Sequence, residues 1–426
     1  MPARPWYILI LVVIIWCPCS RWASAQDPLP VPPPAKGELP VYTLDTILDL
    51  ALQRHPTIEG ARGVIDQREG DRVSADAYLN PTITYQTANA ALRDPSNGTR
   101  INETGLIVTQ PIEWTGKRSA RHDAAEAGLR SATVGLDDVK LNLIADVRTA
   151  FYDLLLAERT VELFQQNVDT VEEVARIVRA RVRSGEGAQF EAVKAEVEVL
   201  KAKQELMRAT NVVRIRLVAL DTLTAGALGT RYRVLGQFRI YSDQLIPERI
   251  AARSLAQHPA IQRQEKLVEQ AEYTVSKERH ARVPNITFFG GYARDVGREA
   301  VVGGVSVPTP IWYRQQGHIA AALGTQRSEE AELLRLRNDL HREITQHARE
   351  AETAQELIVV YERGLMKQAD EALRIAQLSF RQGASSLLDV LDAQRVQRQI
   401  VIDYNLAKYG LSLALTRLER ALGGTL

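Results

Sequence analysis

Two long tracts of the chain contain no proline and carry apolar residues at alternating intervals of three and four positions. The first tract shows this spacing at Val161, Phe164, Val168, Val171, Ala175, Val178 and Val182. The second shows it, with His347 and Gln368 as polar exceptions, at Leu340, Ile344, Ala351, Ala354, Ile358, Tyr361, Leu365, Ala372 and Ile375. A mean spacing of about 3.5 residues keeps one apolar stripe turned toward neighbouring helices and predicts long coiled-coil helices.

Glycine-containing sequence interrupts each tract once, at residues 185–187 in the first and at Gly383 in the second. The pattern therefore predicts a helix, a tight turn and a second helix in each tract. The first of these helices, from about residue 118 to residue 184, is expected to be about 100 Å long at about 1.5 Å per residue.

Each helical tract follows two segments in which β-branched and aromatic residues alternate loosely with polar ones. The first copy reads NPTITYQTANAAL and RINETGLIVTQP, and the second reads PNITFFGGYARD and AVVGGVSVP. Such segments around Asn-Gly or glycine turns are typical of β-hairpins. The sequence thus predicts two strands in each copy, which belong either to ordinary hairpins in water or to a sheet that faces lipid.

The same order of segments occurs twice along the chain. LQRHPTI at 52–58 corresponds to LAQHPAI at 255–261, and RSGEGAQFEAVKAE at 183–196 corresponds to RQGASSLLDVLDAQ at 381–394. Because the matches keep one order and lie far apart, we predict a duplicated unit and not a short solenoid repeat. The predicted domains are a signal peptide (1–25), a proline-rich linker (26–44), a first repeat (45–225), a connector (226–246) and a second repeat (247–426).

The N-terminal segment has the order of a secretory signal peptide: Arg4, an apolar core and a small-residue cleavage site ending at Ala25. Cys17 and Cys19 lie inside it, so the mature chain is expected to lack disulfides, thiolate metal sites and a cysteine nucleophile. Lipidation of one of these cysteines is the less favoured alternative. No later stretch is apolar for long enough to predict a transmembrane helix.

Removal of Arg4 and Arg21 lowers the number of basic residues from 53 to 51, against 52 acidic ones. Opposite charges are interspersed along the helices, which gives no indication of a nucleic-acid partner.

The stretch FRQGASSLLDVLDAQ at 380–394 places two acids, Asp389 and Asp392, one helical turn apart just after the second tip. Ser386 and Asp389 match a capping box, and an acid in the first turn faces the positive end of the helix dipole. Capping accounts for Asp389 but leaves Asp392 unexplained. The residues alone therefore leave both a capping role and a functional role open.

Four strands are too few to close a barrel with a lumen, and open strand edges are not tolerated in lipid. If the strands enter a membrane, several copies must contribute strands to one barrel and helices to one hollow cylinder. Secretion, shared strands and long helices together predict a conduit from the periplasm through an outer membrane.

Over nearly all of the mature sequence, the chain resembles the TolC family of outer-membrane efflux proteins. The resemblance rests on the His-Pro repeat starts, on the Asn-Pro and Val-Pro strand segments and above all on GASSLLDVLDAQ. It implies a mainly α fold with a membrane β-barrel contribution: long antiparallel coiled-coil helices plus two strands per repeat, in a trimeric α-barrel and a shared twelve-stranded β-barrel. It also implies a homotrimer in the outer membrane, with a long periplasmic extension, that meets a periplasmic adaptor (membrane fusion) protein. The adaptor joins an inner-membrane pump, expected to be of the resistance-nodulation-division type.

In the family, the acids after the second turn face the pore at its narrow periplasmic end, which assigns Asp389 and Asp392 to the constriction. Glu191 is the counterpart of Asp389 and is expected to add a third ring, whereas Lys194 replaces the second acid. The resemblance places the tips, where the adaptor docks, at Gly185, Gly187, Phe380, Gly383 and Ser385.

The stretch TQPIEWTGKRSAR at 109–121 resembles the Q-P-I-E-[LW]-x-G-K-R signature of the cobalt–zinc–cadmium branch of the family, with Thr115 where glycine is usual. It implies efflux of divalent heavy-metal cations, with drug or solvent efflux, or protein secretion by the same fold, as alternatives. A periplasmic adaptor or a structural coiled-coil protein is the alternative from another class.

No enzyme motif, cofactor site or metal site is predicted in the sequence. His341 and His347 lie on different helical faces, so they do not form a ligand pair. His55 and His258 precede prolines at equivalent repeat positions and are expected to be structural.

Overall fold

The computed structural model describes residues 39–93, 100–241, 255–295 and 298–425. The predicted signal peptide and most of the predicted linker lie outside the described residues. The first half contains strands β1 (Val41–Thr43), β2 (Thr82–Arg93), β3 (Arg100–Ile112) and β4 (Arg233–Leu235), with helices α1 (Leu44–Arg54), α2 (Pro56–Asp76), α3 (Lys117–Arg183) and α4 (Gln189–Leu223). The second half contains strands β5 (Ile286–Asp295) and β6 (Arg298–Ser306), with helices α5 (Pro259–His280), α6 (Gln316–Val360), α7 (Met366–Arg381) and α8 (Leu387–Leu422).

The two His-Pro pairs begin helices, as the repeat predicted. His55 is the N-cap of α2 and His258 is the N-cap of α5, and a proline follows each at the first helical position. The Nδ1 atom of His258 accepts a hydrogen bond from the Ala260 N–H at 3.1 Å, and Nε2 lies 3.1 Å from the Arg420 carbonyl oxygen. Each histidine thus satisfies backbone donors at a helix start, which confirms the structural interpretation.

The four predicted strands form one antiparallel sheet in the order β2-β3-β5-β6. Strand pairing places the large exposed apolar side chains on one face, because cross-strand partners share a face: Ile83, Tyr85, Leu106, Val108, Phe288, Tyr292, Val301 and Val305. The opposite face carries mostly small or polar residues: Thr84, Gln86, Gly105, Thr109, Thr287, Gly291, Gly304 and Ser306, together with Ile107, Phe289 and Val302. The alternation that predicted strands therefore also separates an apolar face from a mixed one.

Sequence reasoning missed a second, smaller sheet. β1 pairs in parallel with β4, with Tyr42 opposite Val234. β1 falls in the predicted linker and β4 in the predicted connector. Tyr42 and Tyr232 make an edge-to-face contact, with ring centroids 5.9 Å apart, and Tyr232 belongs to a buried cluster that includes Ile47 and Phe151.

The heptad stripe predicted for the second tract is continuous in sequence but not in space. Ile344, Ala351 and Ala354 are buried, whereas Leu365 and Ile375 further along the same stripe are exposed. A π-helical turn at Tyr361–Leu365 separates α6 from α7 and adds one residue to the helix. The added residue rotates the following helix, so Leu365 and Ile375 are exposed instead of being buried against the chain's own helices.

A buried ion cluster fastens the segment after β4 to the helices. The Glu419 carboxylate accepts hydrogen bonds from Arg148 and, at 2.9 and 2.8 Å, from Nη1 and Nη2 of Arg239. The Arg239 backbone N–H also donates to Ser412 Oγ at 2.9 Å. Residues from α3, α8 and the connecting segment thus meet at one carboxylate.

Within residues 39–93, 100–241, 255–295 and 298–425, no helix is both long enough and apolar enough to cross a membrane.

Candidate pore constriction at the hairpin tips

Both helical hairpins turn through the same backbone motif. Gly185 and Gly383 have φ angles of 82° and 79°, in the left-handed region that glycine adopts at little cost. In the first tip the Gly185 and Glu186 N–H groups donate to the carbonyls of Val182 and Arg181, and in the second the Gly383 and Ala384 N–H groups donate to those of Phe380 and Ser379. This is the Schellman arrangement that closes a helix C-terminus.

The helix starts after the two turns differ. Ser386 and Asp389 form the predicted capping box: the Ser386 N–H and hydroxyl each donate to Asp389 Oδ2 at 2.8 Å, and the Asp389 N–H donates to Ser386 Oγ at 3.3 Å. Hydrogen bonds from the Ser386 hydroxyl and then from its backbone N–H hold the pKa of Asp389 below its usual range. In the first hairpin Ala188 occupies the N-cap, and its methyl group cannot accept a hydrogen bond from the Glu191 N–H.

Asp389 and Asp392 both lie exposed on α8, one turn apart, whereas Val390 and Leu391 between them are buried. The structure thus keeps both carboxylates in water and directs the apolar side chains of the same turn inward. Capping explains the position of Asp389, as the sequence suggested, and Asp392 is one turn too far along to cap.

The two hairpins are staggered along their length. Three contacts between them fix the stagger: Asn167 with Gln394 (2.7 Å), Asp153 with Tyr409 (2.6 Å) and Glu205 with Arg398 (2.8 Å). In each pair, the residue of the first hairpin lies further from its own tip, by nine, eight and five residues respectively. The first hairpin therefore extends about 10 Å beyond the second, at about 1.5 Å per residue. Glu191 consequently lies at a different height from Asp389, although the two correspond in sequence.

Phe380 lies inside the tip and not on its surface. Its side chain is 2% exposed and packs with residues of both hairpins, including Val178 and Leu387. The Arg181 guanidinium covers the ring at 5.3 Å from its centroid, so a cation–π contact joins the two tips. Sequence reasoning missed Arg181, because nothing distinguishes it from the other arginines near the end of α3.

The remaining predicted tip residues lie at the turns. The Ser385 hydroxyl donates to the Ala376 carbonyl at 3.4 Å. A Cβ at Gly187 would lie 3.2 Å from Val182 Cγ2, so close packing favours glycine there. Among the described residues, no group of three or more His, Cys, Asp or Glu side chains is placed to hold a metal ion.

Residues 47–226 and 250–424 match the family described as outer membrane efflux protein. The chain belongs to the outer membrane efflux protein family. Members of this family are efflux channels of the outer membrane and are not enzymes, so the predicted family, channel function and location are confirmed.

Several curated relatives cover most of the chain. The cobalt-zinc-cadmium resistance protein CzcC of Cupriavidus metallidurans is 28% identical over 384 residues, which cover 89% of this chain and 90% of that protein. The pyoverdine export outer membrane protein OpmQ of Pseudomonas putida is 25% identical over 416 residues, which cover 89% of this chain and 86% of that protein.

Among solved structures, the Campylobacter jejuni CmeC outer membrane channel matches with a TM-score of 0.77 at 18% identity, covering 89% of this chain and 85% of the channel. The likeness confirms the predicted fold class of long helical hairpins with two strands per repeat.

Proposed function

We propose that this outer membrane efflux protein is the exit duct of a tripartite system that expels divalent heavy-metal cations. It acts as a homotrimer that receives its substrate through a periplasmic adaptor from an inner-membrane pump of the resistance-nodulation-division type. The observation that carries the proposal is the pair of exposed carboxylates, Asp389 and Asp392, on the first turns of α8.

The sheet supports assembly of three copies in the membrane. β2 and β6 are its edge strands, and an open edge in lipid leaves backbone N–H and C=O groups without hydrogen bonds. If β6 of one copy pairs with β2 of the next, three sheets close into a twelve-stranded barrel. The apolar face then meets lipid and the mixed face lines the lumen.

The tips support a cation-selective entrance. In a trimer, Asp389 and Asp392 form two stacked rings of carboxylates, and Glu191 forms a third ring about 10 Å nearer the periplasmic end because of the hairpin stagger. The capping hydrogen bonds lower the pKa of Asp389 and so favour its ionised form. Stacked rings of negative charge concentrate cations and hold multivalent ones.

The adaptor docks at the turns that contain Gly185, Gly187, Gly383 and Ser385. Phe380 is buried below this surface and supports it indirectly, because its contact with Arg181 fixes the position of the second tip.

The choice of metal cations as substrate rests on the QPIEWTGKR stretch and on the similarity to CzcC, which is named for cobalt, zinc and cadmium resistance. Export of an organic molecule is the second candidate, favoured by the similarity to the pyoverdine export protein OpmQ. Deletion of the gene separates the two. Sensitivity to cobalt, zinc or cadmium with unchanged siderophore export supports the first, and the reverse outcome supports the second.

A double variant, Asp389→Asn with Asp392→Asn, tests the constriction in planar bilayers. Asparagine caps a helix nearly as well as aspartate and has a similar volume, so the tip is expected to keep its fold. The variant is expected to lose cation preference and to be blocked less by trivalent cations added from the periplasmic side. Unchanged selectivity and block would assign both aspartates to helix capping alone.

A further inference from the structure

The stretch QPIEWTGKRSAR fastens the first pair of helices to the sheet through one arginine. Glu113, which follows β3, accepts hydrogen bonds from Nη1 and Nη2 of Arg121 at 2.6 and 3.1 Å. The Arg121 guanidinium also donates to the backbone carbonyls of Ala75, at 2.8 Å, and Ala77, at 3.1 Å. These carbonyls lie at the C-terminal end of α2, where backbone acceptors have no partner within the helix. Arg121 therefore ties the end of α2 and the end of β3 to the start of α3.

This clamp, formed by Glu113 and Arg121 with the two carbonyls, is partly shielded from water. The side chains of Glu113 and Arg121 are 12% and 30% exposed, and a carboxylate that meets a guanidinium through two hydrogen bonds has a fixed geometry. Arg118 adds a second link to α2, since its guanidinium lies 4.3 Å from the ring centroid of Tyr78 and 4.0 Å from Asp76 Oδ1. Side chains of one short stretch thus hold α2 and α3 against the sheet.

The corresponding joint of the second repeat has no clamp. Gln315 corresponds to Gly116, because each is the N-cap of the helix that follows the strands. The residues at equal distances from these N-caps are Trp312 in place of Glu113 and Ala320 in place of Arg121. Trp312 is 90% exposed. In the part of the chain that the structure describes, the side chains of residues 307–320 form hydrogen bonds only within their own segment.

The end of α5 does not require a clamp, because the backbone closes it. Three N–H groups beyond the helix donate to its last carbonyls: Ala281 to Lys277, Arg282 to Arg279 and Val283 to His280. α2 ends differently, since Ala77 is extended, with a φ of −68° and a ψ of 141°, and the chain leaves the helix at once. The corresponding ends of α2 and α5 therefore differ in the same way as the two joints do.

The start of α6 is held less firmly than the start of α3. Among the described residues, the first polar link from α6 to α5 is that of Glu329 with Gln264 at 2.6 Å, thirteen residues or about 20 Å along the helix from Gln316. Gln315 has a φ of 63°, which is unfavourable for any residue other than glycine. Its Oε1 atom is buried and has no hydrogen-bond partner in the described ranges.

We propose that QPIEWTGKRSAR makes a one-sided mount of the helices on the sheet: the clamp holds α2 and α3 rigidly, whereas α6 pivots at Gln315. The second hairpin continues from α6 and carries Asp389 and Asp392 on α8, so its tilt can change without distortion of the sheet. The first hairpin continues from α3 and keeps its position. The two joints lie within a single copy, but the use of this pivot in transport rests on the proposed exit duct.

Hydrogen–deuterium exchange of the full protein in detergent compares the two joints. The amides of residues 319–325 are expected to exchange about tenfold faster than those of residues 120–126, since only the latter lie beside a charge-assisted clamp. Arg121→Gln removes the guanidinium and is expected to speed exchange at residues 120–126 about tenfold. Arg62→Gln, which breaks an exposed ion pair with Glu59 on α2, is the control and should leave this rate unchanged. Equal exchange at the two joints, or no effect of Arg121→Gln, would overturn the proposal.

A transplanted clamp tests the pivot directly. Trp312→Glu with Ala320→Arg places the carboxylate and the guanidinium on the two sides of Gln315, at the same distances from the N-cap as in the first repeat. Exchange at residues 319–325 is expected to slow about tenfold in this double variant and not in Ala320→Arg alone, which lacks the carboxylate.

The double variant is also expected to lower zinc resistance at an unchanged amount of protein in the outer membrane. Full resistance together with slowed exchange would overturn the use of the pivot in transport. A natural protein that confers no metal resistance would refute the proposed substrate, and the exchange rates would still decide the difference between the two joints.

Discussion

Replacement of Glu419 by alanine should destabilise the protein more than removal of any exposed ion pair. The Glu419 side chain is 6% exposed and bonds to Arg148 and Arg239, whose side chains are 20% and 28% exposed. Removing one partner of a buried ion pair costs about 3–5 kcal/mol, because the remaining charge stays desolvated. The two arginines keep some contact with water, so we expect about 3 kcal/mol, near the lower end of that range.

Glu419→Gln is the graded comparison. Glutamine keeps the shape and one acceptor oxygen but removes the charge, so we expect a loss of about 1.5 kcal/mol. At about 2–4 °C per kcal/mol, the alanine variant should melt about 6–12 °C lower and the glutamine variant about half as far below the natural protein. Both melting temperatures can be measured in detergent, from the loss of the helical circular dichroism signal on heating.

Arg335→Ala is the matched control on the surface. Arg335 also bonds to two carboxylates, those of Glu332 and Asp339, but its side chain is 61% exposed. In the Arg335→Ala variant, water can solvate the carboxylates of Glu332 and Asp339, so the melting temperature of this variant should not change measurably. If Glu419→Ala also left the melting temperature unchanged, the reasoning that burial makes this cluster stabilising would be refuted.

Three further substitutions test the helix starts. Burial lowers the pKa of His258 below its ordinary 6.5. The unfolded chain therefore binds a proton at this histidine at a higher pH than the folded chain does. The stability that His258 contributes is complete above pH 6.5 and is lost as the pH falls below it. His258→Asn keeps a capping oxygen without titrating, and its melting temperature should fall less than that of the natural protein between about pH 7 and pH 5; equal falls would contradict the assignment. Gln315 is the N-cap of α6 and has a φ of 63°, and the corresponding N-cap of α3, Gly116, has a φ of 92°. Gln315→Gly should therefore raise the melting temperature slightly, because it relieves about 1 kcal/mol of backbone strain, offset in part by the greater entropy of glycine in the unfolded chain. Gly116→Ala should lower the melting temperature, since its Cβ would lie 2.9 Å from His280 Cδ2. A less stable Gln315→Gly variant would show that the contribution of the Gln315 side chain outweighs the strain.

The sequence by itself determined the features that depend on neighbouring residues. The tip glycines, the Ser386–Asp389 capping box and the His-Pro helix starts all use hydrogen bonds within one turn of helix or chain. The strands and long helices were also predictable, because their periods of two and about 3.5 residues are visible in the chain. The family motif GASSLLDVLDAQ belongs to this local class, which is why it indicated the fold and the two acids together.

Only the tertiary structure decided how these parts meet. The burial of Phe380 under Arg181, the pairing of β1 with β4 and the Glu419 cluster each join residues that are far apart in sequence. Their partners depend on the packing of whole elements, which no local pattern specifies.

The π-helical turn and the hairpin stagger belong to the same class. An added residue in a helix leaves no local mark in a heptad pattern that continues across it, so the outward rotation of Ile375 was not predictable. The relative height of two hairpins is set by the side chains that interlock between them, such as Asn167 and Gln394, and not by the turn sequences at their ends. For that reason Glu191 and Asp389 correspond in the repeat and yet lie at different heights in the folded chain.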